Sequence, residues 1–134
     1  MATGSPIRVG RATSGRVEQL NQILRSLQSA SPDVEASALI SDDGLMIASA
    51  LPQHFEEARV AGMSATLSSL GVRAARELER GDVKEVMVRG ADGYALMMSV
   101  GSGTLLLCLT NADAKLGLVF LDMRRSVEDV RRVL

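Results

Sequence analysis

Aromatic side chains are nearly missing from this sequence: Tyr94, Phe55 and Phe120 are the only ones in 134 residues. A protein that grips single-stranded nucleic acid stacks bases on such rings, and nucleic-acid binders in general carry a basic excess. Here fifteen basic residues face sixteen acidic ones, a net charge of −1, so a general nucleic-acid binder is excluded. Cysteine is reduced to Cys108, which rules out a disulfide within the chain and fits a reducing compartment. With His54 the one histidine, Cys108 and His54 form the only nucleophile pairing of that kind available. Cys108 lies mid-strand in an apolar run, where a thiol is a packing residue. Clustered zinc ligands are missing too, and Asp42 and Asp43 read as turn residues. No apolar run reaches the roughly 20 residues that cross a membrane, and the first residues contain no signal-type hydrophobic segment. The expectation is a cytoplasmic protein with no membrane insertion, cofactor, metal or catalytic residue.

Glycine-rich stretches do not change this. Gly10 to Val17 mimics the spacing of a phosphate loop but lacks its Lys and following Ser/Thr, and no strand precedes it. Gly101 to Gly103 joins two strands, so its amides do not open a helix. The chain is not itself a GTPase or kinase.

What is present is aliphatic. A hydrophobic share of 46% with seven Met supplies one core, and the length fits one domain. Residues 1–12 lack periodicity and read as a flexible tail, leaving 13–134 as the folded unit. Val17, Leu20, Ile23, Leu24 and Leu27 recur at helical spacing, with Thr13 or Ser14 as N-cap and a stop before Ser31-Pro32. Val34 to Ser41 and Leu45 to Ala50 read as strands around an Asp42-Asp43-Gly44 turn. A long helix follows, about Phe55 to Arg80, closed by Gly81. Three strands come next: Val83 to Arg89, Tyr94 to Val100 and Thr104 to Thr110. Lys84 and Glu85 mark the first of them as an edge. From about Asp113 a last helix carries Leu116, Phe120, Met123, Val127, Val130 and Leu134 on one face. The order is α-β-β-α-β-β-β-α.

The central helix is unusual between Val60 and Val72, where it carries no charge. Val60, Met63, Leu67, Leu70 and Ala74 form a stripe that we assign to the core. Ala61, Gly62, Ser64, Ala65, Ser68, Ser69 and Gly71 fill the rest of the circumference, and small residues there imply a second backbone close by. The competing reading is an exposed face of low charge.

The strands argue the same way. Leu105 to Leu109, Ala95 to Met98 and Leu45 to Ile47 are continuous apolar runs, whereas a sheet wet on one face alternates. Both faces are therefore covered, as a three-layer α/β/α sandwich with a five-stranded, mainly antiparallel sheet. Five strands span roughly 24 Å, and a helix with side chains is about 10 Å across. The first and last helices together cover one face, but the central helix alone covers less than half of the other. A twofold partner bringing its own central helix fills the gap, and the same contact joins the 83–89 edges into one sheet.

The hairpin ALISDDGLMIAS (38–49), the passage ATLSSLGVRAARELERGDVKEVMVRG (65–90), the segment GYALMMSVGSGTLLLCLTNADAKLGLV (93–119) and the closing amphipathic helix resemble the roadblock/dynein light chain family, particularly its bacterial branch. The resemblance runs from about Val17 to Leu134. It implies a homodimer or close heterodimer with paired central helices, a sheet continuous across the interface, and a noncatalytic role. On the matching helix the implied interface is Val60, Met63, Ser64, Leu67, Ser68, Gly71 and Ala75; on the strand it includes Val83, Glu85, Met87 and Arg89.

Three functions remain open at this point. The first is a homodimeric regulator of a small Ras-like GTPase, in which Arg73, Arg76 and Arg80 are candidate partner contacts, although charges there also suit a helix C-terminus. The second is a structural adaptor with no effect on nucleotide turnover. The third is a small-molecule sensor with a pocket lined by Met46, Met63, Met87, Met97, Met98 and Met123, residues that more often fill cores.

Overall fold

The structure, a computed structural model, describes residues 4–134, with side chains from Gly15 onward. Helix α1 spans Gly4–Ala30, strands β1 and β2 span Val34–Ser41 and Met46–Ala50, and α2 spans Glu57–Glu77. Strands β3, β4 and β5 follow at Val86–Gly90, Gly93–Gly101 and Thr104–Asn111, before α3 at Leu116–Val133. The element order is the expected one. The tail expected over 1–12 lies outside the residues described with side chains. The α1 backbone runs through Thr13 and Ser14, so neither residue caps it. A residue able to cap still tolerates a helix interior at modest cost when its neighbours favour helix.

All five strands pair antiparallel in the order β2-β1-β5-β4-β3. The last strand in sequence thus lies at the centre, between β1 and β4. Its continuous apolar run works because alternate residues serve opposite faces. Leu106 and Cys108 point to one cluster, while Leu105 and Leu107 point to the other.

Helices α1 and α3 cover the first face together. Leu20, Leu24 and Leu27 of α1 meet Val119, Met123, Val127 and Val130 of α3 over Leu39, Leu96 and Leu106. Full burial of each such side chain contributes roughly 1.5–3 kcal/mol. Two polar ties hold α3 in place. Arg131 Nε donates to the Val100 carbonyl at 2.6 Å. Asp33 accepts from the Lys115 backbone N–H at 3.1 Å and from the Asn111 side-chain amide at 3.2 Å. Those two donors, the Lys115 amide first, hold the Asp33 carboxyl below its ordinary value.

Several boundaries move. Leu45 lies in the turn rather than in β2 and is 66% exposed, because Gly44 at φ +83° and the Ser41 hydroxyl close the hairpin there. Helix α2 ends before Gly81: Leu78 is the C-cap and Glu79 takes the left-handed conformation at φ +58°. Helix α3 starts at Leu116, since Asp113 N–H bonds instead to Asn111 Oδ1 in the preceding turn.

Candidate functional site: a protein interaction surface

Helix α2 lies alone on the second face, and its rotation is the opposite of the one expected. Ala61 and Ser64 are its buried residues. Met63, Leu67 and Leu70 face outward, 55%, 39% and 53% exposed, with Ala74 also exposed. Of the stripe assigned to the core, Met63, Leu67, Leu70 and Ala74 are therefore on the surface, while Val60 packs inward against the second cluster. Close approach explains the reversal. A Cβ on Gly44 would sit 3.4 Å from the Gly62 Cα, and one on Gly71 would collide with the Val86 side chain. The helix backbone comes so near the sheet that only small side chains fit beneath it. Gly, Ser and Ala do mark a close backbone, but it is the chain's own sheet.

Of the interface residues expected on α2, Met63 and Leu67 lie outward. Val60, Ser68, Gly71 and Ala75 are half-buried, and Ser64 is buried beneath the helix. Leu78, two turns beyond Leu70, is also exposed and extends the stripe past the helix end. It was legible from the spacing of Leu70, Ala74 and Leu78, but only once the outward face is known. An uncovered apolar stripe of this kind marks an interaction surface.

Strand β3 is an edge, as expected, but begins at Val86, so Val83 and Glu85 precede it. Its outer side has no backbone partner among the described residues. Met87 and Val88 are 49% and 43% exposed. Bare edge and bare stripe are linked through the Gly71–Val86 contact.

At the end of α2, Arg73 reaches Glu77 at 4.0 Å and Arg76 reaches Asp82 at 3.8 Å, both as exposed pairs. Such pairs contribute little and release easily. Arg80 makes no ion pair among the described residues.

Cys108 is buried in the first cluster, and desolvation pushes its thiol up to about 12, which leaves it protonated at neutral pH. His54 is exposed and stacks on Phe55 with ring centroids 4.4 Å apart, and no hydrogen bond joins it to Cys108. Among the described residues no group of three or more His, Cys, Asp or Glu is placed to hold a metal. The methionines divide three ways: Met98 and Met123 belong to the first cluster, Met97 to the second with Met46 packed against it, and Met63 and Met87 to the surface. The groove beside α2, about 430 Å³, is an open one of mixed lining, with Asp42, Asp43, Thr66 and Ser69 beside Ala65 and Leu70. No described helix is long and apolar enough to cross a membrane.

Comparison with known proteins agrees with this geometry. Residues 20–110 match the Roadblock/LC7 domain. An uncharacterised protein of Methanocaldococcus jannaschii is 33% identical over 98 residues, covering 73% of this chain and 85% of that protein. A Roadblock/LC7 domain from Streptomyces avermitilis superposes with a TM-score of 0.78 at 26% identity, over 84% of this chain and 94% of that one. Myxococcus xanthus MglB superposes with a TM-score of 0.78 at 19% identity, over 87% and 88% of the two chains, which shows a common fold.

Proposed function

This chain belongs to the Roadblock/LC7 family, and on that premise we propose that it is a noncatalytic homodimer that binds a small Ras-like GTPase and modulates its nucleotide cycle. The observation that carries the dimer is the outward stripe of α2. Met63, Leu67 and Leu70 line up on one face of a helix that has the whole second face of the sheet to itself. A twofold partner sets its own α2 beside them. The flanks at Val60, Ser68, Gly71 and Ala75 border that contact, and Ser64 supports it from beneath. Val83, Glu85, Met87 and Arg89 complete the interface along the β3 edge. Residues 13–134 form the unit that assembles.

The GTPase contact falls at the C-terminal end of α2. Arg73, Arg76 and Arg80 project there beside the left-handed Glu79, and only loose ion pairs hold the first two. An arginine supplied in trans offsets charge on a transferring phosphoryl group, and positioning of switch loops acts through the same contact. The test mixes the protein with the small Ras-like GTPase encoded nearest to it and follows co-elution and GTP hydrolysis. Co-elution with an altered rate supports regulation, and Arg80→Ala then reduces the effect. Co-elution with an unchanged rate assigns the protein to the adaptors. Neither binding nor a rate change removes the GTPase from the proposal.

A further inference from the structure

We infer that the end of α2 is a two-position stop: the helix closes at Leu78 in the free chain and reaches Arg80 when an acidic partner surface engages it, which brings Arg73, Arg76 and Arg80 into one row. This step rests on the partner contact proposed above and supplies its conformational change.

The observed stop is fully bonded but strained. Beyond Leu78, the Glu79 N–H donates to the Arg76 carbonyl at 3.0 Å and the Arg80 N–H to the Ala75 carbonyl at 2.7 Å. Such a pair of bonds closes a helix around one left-handed residue, a place that glycine fills without steric cost. Here Glu79 fills it, at φ +58°, where an L side chain crowds the following carbonyl. The glycine comes two residues later. Gly81 is itself left-handed, at φ +84°, with open space around it.

If Glu79 turns to helical angles, Glu79 and Arg80 join the helix and Gly81 takes over the left-handed position. Gly81 already has the required sign, and Leu78, at φ −88° and ψ 9°, needs only a modest turn. The Glu79 and Arg80 amides then bond to Ala75 and Arg76 in α-helical register, so neither loses a partner. The Gly81 and Asp82 amides close the new end on Leu78 and Glu77. The connector allows the change. Gly71 lies against Val86, and Arg80 would stand about 14 Å beyond Gly71 along the axis. The chain from Arg80 to Val86 spans up to about 20 Å. What the change gives up is slack in that connector and the exposed Arg76–Asp82 pair at 3.8 Å.

Charge supplies the link to a partner. On a continuous helix, residues 73, 76 and 80 follow an i, i+3, i+7 spacing and share one face. In the observed stop Arg80 lies past the left-handed turn, outside that repeat, and makes no ion pair among the described residues. Glu77 borders the row and reaches Arg73 at 4.0 Å, which leaves the face net positive. Three aligned guanidinium groups fit carboxylates presented by a partner. A partner that binds the long form more tightly draws the equilibrium toward it.

Two substitutions of equal charge separate the two positions in the full chain. Glu79→Gly relieves the left-handed residue and holds the short stop; Glu79→Val, branched at Cβ, penalises it and favours the long one. The NMR Cα shifts of residues 79 and 80 are expected to be helical in Glu79→Val and not in Glu79→Gly. The Gly81 and Asp82 amides are expected to exchange with solvent about tenfold more slowly in Glu79→Val. An oligoglutamate peptide, titrated at low salt, is expected to bind Glu79→Val about fivefold more tightly than Glu79→Gly, and adding Arg80→Ala to both removes the difference. Residues 79 and 80 that stay non-helical in Glu79→Val, or equal affinities of the two variants for the peptide, overturn the two-position stop. The GTPase is judged separately by co-elution. If it binds neither variant while the shifts and the peptide respond, the stop stands and the GTPase falls; if it binds both alike while they do not respond, the GTPase stands and the stop falls.

Discussion

On one face of the sheet α1 and α3 lie side by side and leave Leu24, Leu106 and Met123 fully buried; on the other, α2 lies alone and turns Met63, Leu67 and Leu70 to solvent. The same strands feed both faces, and β5 gives Leu106 to one and Leu105 to the other. What differs is the depth of the layer. The first face is a core several side chains thick, closed within one protomer. The second is thinner: Ile40, Met97, Leu105 and Leu107 of the sheet meet a helix whose own buried residues are only Ala61 and Ser64. A thick core stabilises a chain, and a thin one leaves its helix free to present large side chains to something else.

The comparison breaks most decisively at Leu24. Leu24→Ala on the closed face should cost about 3 kcal/mol of folding stability in urea titration and leave the association state of the folded chain alone. Leu67→Arg on the open face should do the reverse, with protomer stability held within about 0.5 kcal/mol and association weakened by about a hundredfold in equilibrium sedimentation. A smaller effect sharpens the contrast within α2. Gly71→Ala should lose about 1 kcal/mol despite its gain in helix propensity, because the new methyl meets Val86. Gly62→Ala has open space around it and should gain about 0.5–1 kcal/mol. If both glycines behave alike in thermal melts, the close approach is not what seats α2.

The smallest effect concerns pH. Asp33 ties β1 and β5 to the start of α3 and is held below 3.8 by the bonds it accepts. A carboxyl with a lowered folded-state value contributes its full stabilisation above 3.8 and loses it as pH falls through the lower folded value. The difference in Tm between wild type and Asp33→Asn should therefore shrink as pH is lowered from 5 towards 3.

Much of the architecture was legible in the residues. Continuous apolar strands required two covered faces, and arithmetic on widths left the central helix alone on one of them. Periodicity also grouped Met63, Leu67, Leu70 and Ala74 correctly on a single side, although it put Val60 with them and that residue packs inward. It could not say which way that side points, because a helix with one large apolar stripe and one small-residue stripe has two candidate inner faces. Hydrophobicity favours the large stripe, and the close approach at Gly44 and Gly71 decides for the small one. Strand order was hidden for another reason: β1 pairs with β5 across the whole length of the domain, and no local pattern records so distant a partner.

The central place of β5 also bears on how the chain is made. Emerging from a ribosome, the β1–β2 hairpin can close early, yet β1 waits for its other neighbour until residues 104–111 are synthesised. Nascent β4, by contrast, meets β5 after only Ser102 and Gly103, so the slow step is the distant pairing of β1. Between Ala50 and Thr104 the polypeptide holds the first hairpin unjoined, and the strand that unites it with the rest belongs to the last third of the message.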